Sequence, residues 1–145
     1  MLKFSQSNEI TSKIYQDALQ IRTEVFVHEQ NVSPLDEIAD EKGPLYFVGY
    51  YEGRPVVTAR VRLQGPRTWH IQRVAVKKEF RGQHIGQLLM QYISQTAGEY
   101  HIDLLTLGAQ DQAQKFYLKL GFKVVGAGFL DAGIKHHRMD KALND

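Results

Sequence analysis

From Ile71 to Met90 the chain carries residue types and spacings that can hold an anion. An apolar run (Ile71, Val74, Ala75, Val76) gives way to a charged turn, Lys77 to Arg81, and then to Arg81-Gly82-Gln83-His84-Ile85-Gly86. The run reads as a buried strand and the glycine segment as the entry to a helix. The start of a helix leaves several backbone N–H groups unpaired and carries a partial positive charge. Glycines at that point let an anion approach the backbone. A basic strand–glycine–helix turn is therefore a site for a phosphate or pyrophosphate. The common versions of such a site are absent. A P-loop needs Lys-Ser or Lys-Thr after its second glycine, and here Gln87-Leu88 follows Gly86. A dinucleotide fingerprint needs a glycine spacing that Gly82 and Gly86 do not supply.

A second segment, Ala109-Gln-Asp-Gln-Ala-Gln-Lys-Phe-Tyr-Leu-Lys-Leu-Gly-Phe122, places Ala113, Phe116, Tyr117 and Leu120 at helical spacing. Ala113 is small enough to admit a ligand or strand. Phe116 reads as a core residue. Tyr117 could be a packed ring or a proton donor. Groups that could carry a proton include Glu24, Glu29, Asp36, Glu37, His136 and His137. His70 and His101 read as sheet or surface residues. No H-E-x-x-H type spacing is present, so no metal site is expected.

These segments need elements to position them. Leu2 to Ser5 predicts a first strand, and Ser7 or Asn8 a cap for a helix carrying Ile10, Ile14, Ala18, Ile21 and Val25. Residues 31–44 are polar and acidic and contain Pro34 and Pro44, which predicts a long binding loop. Leu45 to Tyr51 and Val56 to Leu63 flank Glu52-Gly-Arg-Pro55, a hairpin signal. Trp69 to Val76, a helix from Gly82 to about Tyr100, and a strand from Ile102 to Leu107 follow. Asp111 should cap a helix over Gln112–Leu120, closed by Gly121. Phe122–Val125 and His136–Ala142 read as the last strands, joined by a glycine-rich connection, Gly126 to Gly133. The order β-α-β-β-β-α-β-α-β-β implies an α/β (α+β) fold. Its central sheet is mixed and mostly antiparallel, with helices on both faces.

At 145 residues the chain reads as one domain with a real core. Its 43% hydrophobic and 23% charged residues are ordinary for a soluble globular protein. No apolar run approaches the ~18 residues of a membrane helix, and the N-terminus lacks a signal-peptide core. Cysteine is absent, which excludes disulfides and a thiolate nucleophile and suits a cytoplasmic protein. A net charge of +2 is too small to imply nucleic acid. The basic residues Arg54, Arg60, Arg62, Arg67, Arg73, Lys77, Lys78 and Arg81 crowd one region. They form either a solvated strand face or a funnel for a polyanion.

The two motifs together resemble the GNAT superfamily of N-acetyltransferases. R-G-x-x-[IL]-G after a Val-Ala-Val strand is similar to that family's acetyl-coenzyme A loop. Ala109 to Phe122 is similar to its A-x-x-x-A-x-x-F-Y-x-x-x-G-F segment, at the family's spacing. The likeness spans roughly Ile21 to Met139. Ile21–Gln30 and Gly133–Met139 resemble a small bacterial subgroup, which leaves the acceptor open.

The resemblance implies acetyl-CoA as cosubstrate, with Arg81, Gly82, Gln83, His84, Ile85 and Gly86 at the pyrophosphate. His84 would contribute its backbone. Val74, Ala75 and Val76 would offer a backbone N–H to the thioester oxygen from a bulged, splayed strand. Ala109, Ala113 and Phe116 would line the cofactor. Tyr117 would act as general acid on the coenzyme A sulfur. The activity implied is direct transfer of acetyl to a primary amine of a small molecule or peptide. The rival is a non-catalytic acyl-CoA-binding sensor of the same fold. Neither nucleic acid nor membrane is an expected partner, and a second copy of the chain is a candidate one.

Many relatives carry a Glu where this chain has Gln72, and glutamine takes no proton at neutral pH. The base must lie elsewhere. Glu29 is the leading carboxylate by resemblance to the subgroup's acceptor-side segment. His136 is the leading imidazole, placed at the slot by resemblance to G-I-x-H-x-x-M, while His137 should point to the opposite face of the strand. The acidic residues Asp36, Glu37, Asp40 and Glu41 should favour a cationic acceptor.

Overall fold

The computed structural model describes residues 2–30 and 43–143. Seven strands form one sheet in the order β1-β2-β3-β4-β5-β7-β6. They are β1 Leu2–Ser7, β2 Leu45–Tyr51, β3 Arg54–Leu63, β4 Thr68–Val76, β5 Leu104–Gln110, β6 Lys123–Asp131 and β7 Ile134–Ala142. Among the described strand pairs only β4–β5 is parallel; the others are antiparallel. The α-helices are α1 Lys13–Arg22, α2 Ile85–Glu99 and α3 Gln114–Lys119. The expected element order and mixed, mostly antiparallel sheet are present.

Helices cover both faces. α2 and α3 bury Ile85, Leu89, Ile93, Ala97 and Tyr117 against Phe47, Val57, Ile71, Leu105 and Met139. α1 buries Ala18 and Ile21 against Tyr46 and Val48 on the other face. That second core is small, because toward β5 and β7 the same sheet face carries polar side chains such as Thr106, Asp140 and His136. Burial at ~25 cal/mol per Å² of apolar surface makes the larger cluster the main source of stability.

Local chemistry explains most element ends. The β2–β3 turn places Glu52 (φ 50°) and Gly53 (φ 78°) in the left-handed region, the twist a two-residue hairpin favours. Ser12, rather than Ser7 or Asn8, caps α1, its hydroxyl accepting the Tyr15 N–H at 3.0 Å. Ser7 instead accepts the Glu9 N–H at 3.1 Å, a local turn that competes with helix initiation.

Three elements depart from the sequence-based expectation. The first helix does not continue as α. Thr23–Glu29 winds as a seven-residue π-helix, with the Gln30 N–H on the Val25 carbonyl. The helix expected over residues 112–120 opens as a 3₁₀ turn, Asp111–Ala113, before α3. The glycine-rich segment 126–133 is mostly strand. β6 runs through it with a register shift between Val125 and Phe129, because a bulge absorbs the extra residues that would otherwise end the strand. The acidic residues Asp36, Glu37, Asp40 and Glu41 lie outside the described residues. No helix among the described residues is long and apolar enough to cross a membrane.

Candidate active site

The site begins where β4 and β5 part. Their parallel pairing ends at Ile71↔Leu107, yet β4 continues to Val76 and β5 to Gln110. Beyond that last pair, the β5-facing edge of β4 has no ladder partner. On its β3 side β4 is bulged, with Thr58 opposite Ala75 and Arg60 opposite Gln72. Arg73 takes the extra turn at φ 56°. A bulge re-aims backbone groups, and here it does so at the mouth of the opening. Val74 and Val76 pack toward the α2–α3 core, whereas Ala75 packs toward α1.

The loop Arg81–Gly86 borders this opening. Gly82 takes φ 80° and His84 takes φ 62°, directly before the first residue of α2. His84 makes no side-chain cap, so the loop's shape rests on two left-handed residues. Gln83 is exposed and Ile85 is buried. Gly86 has a packing role that the sequence did not reveal. A Cβ there would lie 3.3 Å from Phe116 Cζ and 3.5 Å from Val76 Cγ2. Gly86 therefore lets α2 close onto α3, and Phe116 is the residue that requires it.

Arg81 braces the loop. Its Nε donates to the Val76 carbonyl at 3.0 Å. Its Nη1 and Nη2 donate to the two Glu29 oxygens at 2.6 and 2.9 Å. The Arg81 hydrogen bond leads in holding the Glu29 carboxyl below its ordinary range, against desolvation. A carboxylate held in this way is a weaker base than a free one. The π-helix that ends at Glu29 thus delivers a brace to the loop before α2.

Tyr117 lies on α3 in the same core cluster as Ala109 of β5 and is only 8% exposed. Its ring meets Phe116 and Phe122 edge-on, with centroids at 4.9 and 5.7 Å. Burial pushes its phenol well above the ordinary tyrosine value, so the hydroxyl stays protonated at neutral pH. Ala109 is buried on β5, and Ala113 caps α3 at the edge of the core.

The α1 side of the opening is lined differently. The Gln72 oxygen accepts from Arg60 Nε at 3.0 Å and Nη2 at 2.8 Å, so position 72 fixes a buried arginine. Gln110 donates to Gln30 at the end of the π-helix at 3.3 Å. His136, opposite Gln110 on β7, is 8% exposed. Its Nδ1 donates to the Ile134 carbonyl at 2.7 Å. That bond leaves Nε2 as the acceptor in the neutral ring. His137 points to the other face, where its Nδ1 donates to Asp111 at 2.7 Å. That contact leads in lowering the Asp111 pKa. His70 lies on the α1 side; desolvation first, then Arg60, Arg62 and Arg138, lower its pKa.

The basic cluster of the sequence does not form one surface. Arg60 is buried against Gln72, Arg67 pairs with Asp103 at 3.3 Å, and Arg54 lies 5.3 Å over Phe80. Sequence reasoning also missed Phe129, which stacks on His136 at 5.7 Å and 22°. A glycine inside a strand, Gly108, was the available signal that something approaches closely.

Comparison with known proteins agrees with this geometry. The profile of the acetyltransferase (GNAT) domain matches residues 8–143. YjcF of Bacillus subtilis, an uncharacterized N-acetyltransferase, is 35% identical over 127 residues, covering 86% of this chain and 90% of that protein. An acyl-CoA N-acyltransferase structure from Pseudomonas aeruginosa superposes with a TM-score of 0.85 at 27% identity, over 98% of this chain and 100% of that one. Escherichia coli ElaA superposes with a TM-score of 0.84 at 28% identity, over 97% and 99%. A strand pair that splays beside a left-handed loop and a helix start is thus set in a chain that belongs to the GNAT acetyltransferase family.

Proposed function

We propose that this chain is an acetyl-CoA-dependent N-acetyltransferase that moves acetyl to a primary amine by direct transfer. The observation that carries the reading is the opening between β4 and β5, with the loop Arg81–Gly86 held against Val76 at the end of β4. The pyrophosphate would rest on the N–H groups of residues 82–86 at the start of α2. The pantetheine arm would lie in the opening, against Val74, Val76, Ala109 and Ala113. An unladdered N–H of β4 would bond the thioester oxygen, stabilising the oxyanion as the amine attacks.

The attacking amine must lose a proton, and the departing sulfur must be stabilised. His136 Nε2 is the relay we assign to the amine, since Gln72 is bound to Arg60 and Glu29 to Arg81. Tyr117 serves the sulfur. A thiol has a pKa of about 8.5, below that of the buried phenol. The hydroxyl therefore stabilises the thiolate by donating a hydrogen bond more than by complete proton transfer.

The test is a thiol-release screen with acetyl-CoA over polyamines, aminoglycosides, amino acids, amino sugars and peptide N-termini. Calorimetric acetyl-CoA titrations of wild type and Gln83→Glu accompany it. Gln83 is exposed on the loop, so a charge placed there should weaken cofactor binding at least about tenfold through repulsion of the pyrophosphate while sparing the Phe116 contact of Gly86. Unchanged affinity would remove the cofactor assignment. A sensor, favoured by the absence of a carboxylate at position 72, would bind acetyl-CoA without releasing thiol on any amine.

A further inference from the structure

Phe129 lies on β6 and is 44% exposed, yet its ring is held in place from two directions. One face stacks on His136 at 5.7 Å and 22°. The ring's far edge reaches across β7 to Gly108 of β5, where an added Cβ would lie 3.1 Å from Phe129 Cζ. Gly108 is the first β5 residue beyond the last β4–β5 pair. A fixed and partly exposed aromatic ring therefore stands on the α1 side of the opening, where an acceptor would enter. The β6 bulge between Val125 and Phe129 carries it there.

Among the described residues, the polar groups around it carry little unbalanced charge. Gln110 and Gln30 are neutral and bonded to each other. Arg138, opposite Gly108, gives Nε and Nη2 to the two Asp140 oxygens at 3.0 and 2.9 Å. Thr106 donates to the same carboxylate. Among the described residues, an exposed ring beside neutral amides and a self-compensated ion pair matches a flat apolar group rather than a second charge.

We propose that the outer face of Phe129, fixed by His136 and Gly108, is the wall that selects the acceptor: a primary amine carrying an aromatic ring. This rests on the N-acetyltransferase reading and specifies its substrate class.

The experiment compares 2-phenylethylamine, 2-cyclohexylethylamine and 1,4-diaminobutane as acceptors for wild type, Phe129→Ala, Phe129→Leu and Gly108→Ala, with thermal melts as the check on folding. Wild type should prefer 2-phenylethylamine to the diamine at least about tenfold in kcat/KM, with the cyclohexyl analogue between them. Phe129→Ala should abolish the preference through KM at unchanged acetyl-CoA affinity, Phe129→Leu should retain part of it, and Gly108→Ala should reduce it with the ring still present. Preference for the diamine, or an aryl preference that survives Phe129→Ala, overturns the wall. If acetyl-CoA does not bind at all, the N-acetyltransferase reading falls separately. Ligand-observed NMR with 2-phenylethylamine then decides the wall: loss of binding in Phe129→Ala supports it, and equal binding overturns it.

Discussion

Glu29 and Arg81 stand 52 residues apart in the chain and meet through two hydrogen bonds of 2.6 and 2.9 Å. One ends the π-helix and the other opens the loop before α2, so the contact ties that helix to the turn after β4. Both side chains are more than a third exposed, 35% and 40%, which limits the pair to about 0.5–1 kcal/mol. Glu29→Gln and Arg81→Ala should each lower the melting temperature at neutral pH, and the double variant should fall by less than their sum.

The pair also has a defined pH dependence. The Glu29 pKa is lowered from 4.5 in the folded protein, chiefly by the Arg81 hydrogen bond. Its stabilisation is therefore complete above the unfolded value and is lost as pH falls through the folded one. The stability gap between wild type and Glu29→Gln should be constant from neutrality to about pH 5 and close below it. A gap unchanged at the acid end of the titration would show that packing, not charge, holds the contact.

Tyr117→Phe keeps the ring between Phe116 and Phe122 and deletes only the hydroxyl. Acetyl-CoA affinity should be unchanged, while kcat falls about 10²-fold, the scale of losing one donor to a developing negative charge. A change under about twofold with chemistry rate-limiting would make Tyr117 a packing residue and favour the sensor.

His136 and His137 separate by face. His136→Ala should lower kcat with little change in KM, because the Nδ1 bond to the Ile134 carbonyl leaves Nε2 as the acceptor of the neutral ring. His137→Ala should leave kcat intact, since its ring is held by Asp111 on the opposite face. A raised KM with kcat unchanged in His136→Ala would mean the ring only shapes the pocket. A larger loss in His137→Ala would move the proton relay to the α3 side.

The sequence by itself determined the order of elements, because hydrophobic period and turn chemistry are local. Val74-Ala-Val, Glu52-Gly53 and Gly121 each state their structure within a few residues. It also carried the family through two contiguous motifs. What only the tertiary structure decided are relations between distant segments. Glu29 read as a free base until Arg81 was seen to hold it. Gly86 is an expected phosphate glycine by its motif, and only the fold shows that a Cβ there would also meet Phe116. The basic run fits a strand face or a funnel by sequence, and only the fold shows Arg60 buried against Gln72, Arg67 paired with Asp103 and Arg54 over Phe80. Phe129 lay in what read as a loop, since no local pattern shows that a three-residue segment, Gly126-Ala-Gly128, can be absorbed as a bulge opposite His137. Charge pairing, close packing and strand register depend on which segments the fold brings together, and a single chain's local pattern does not encode that.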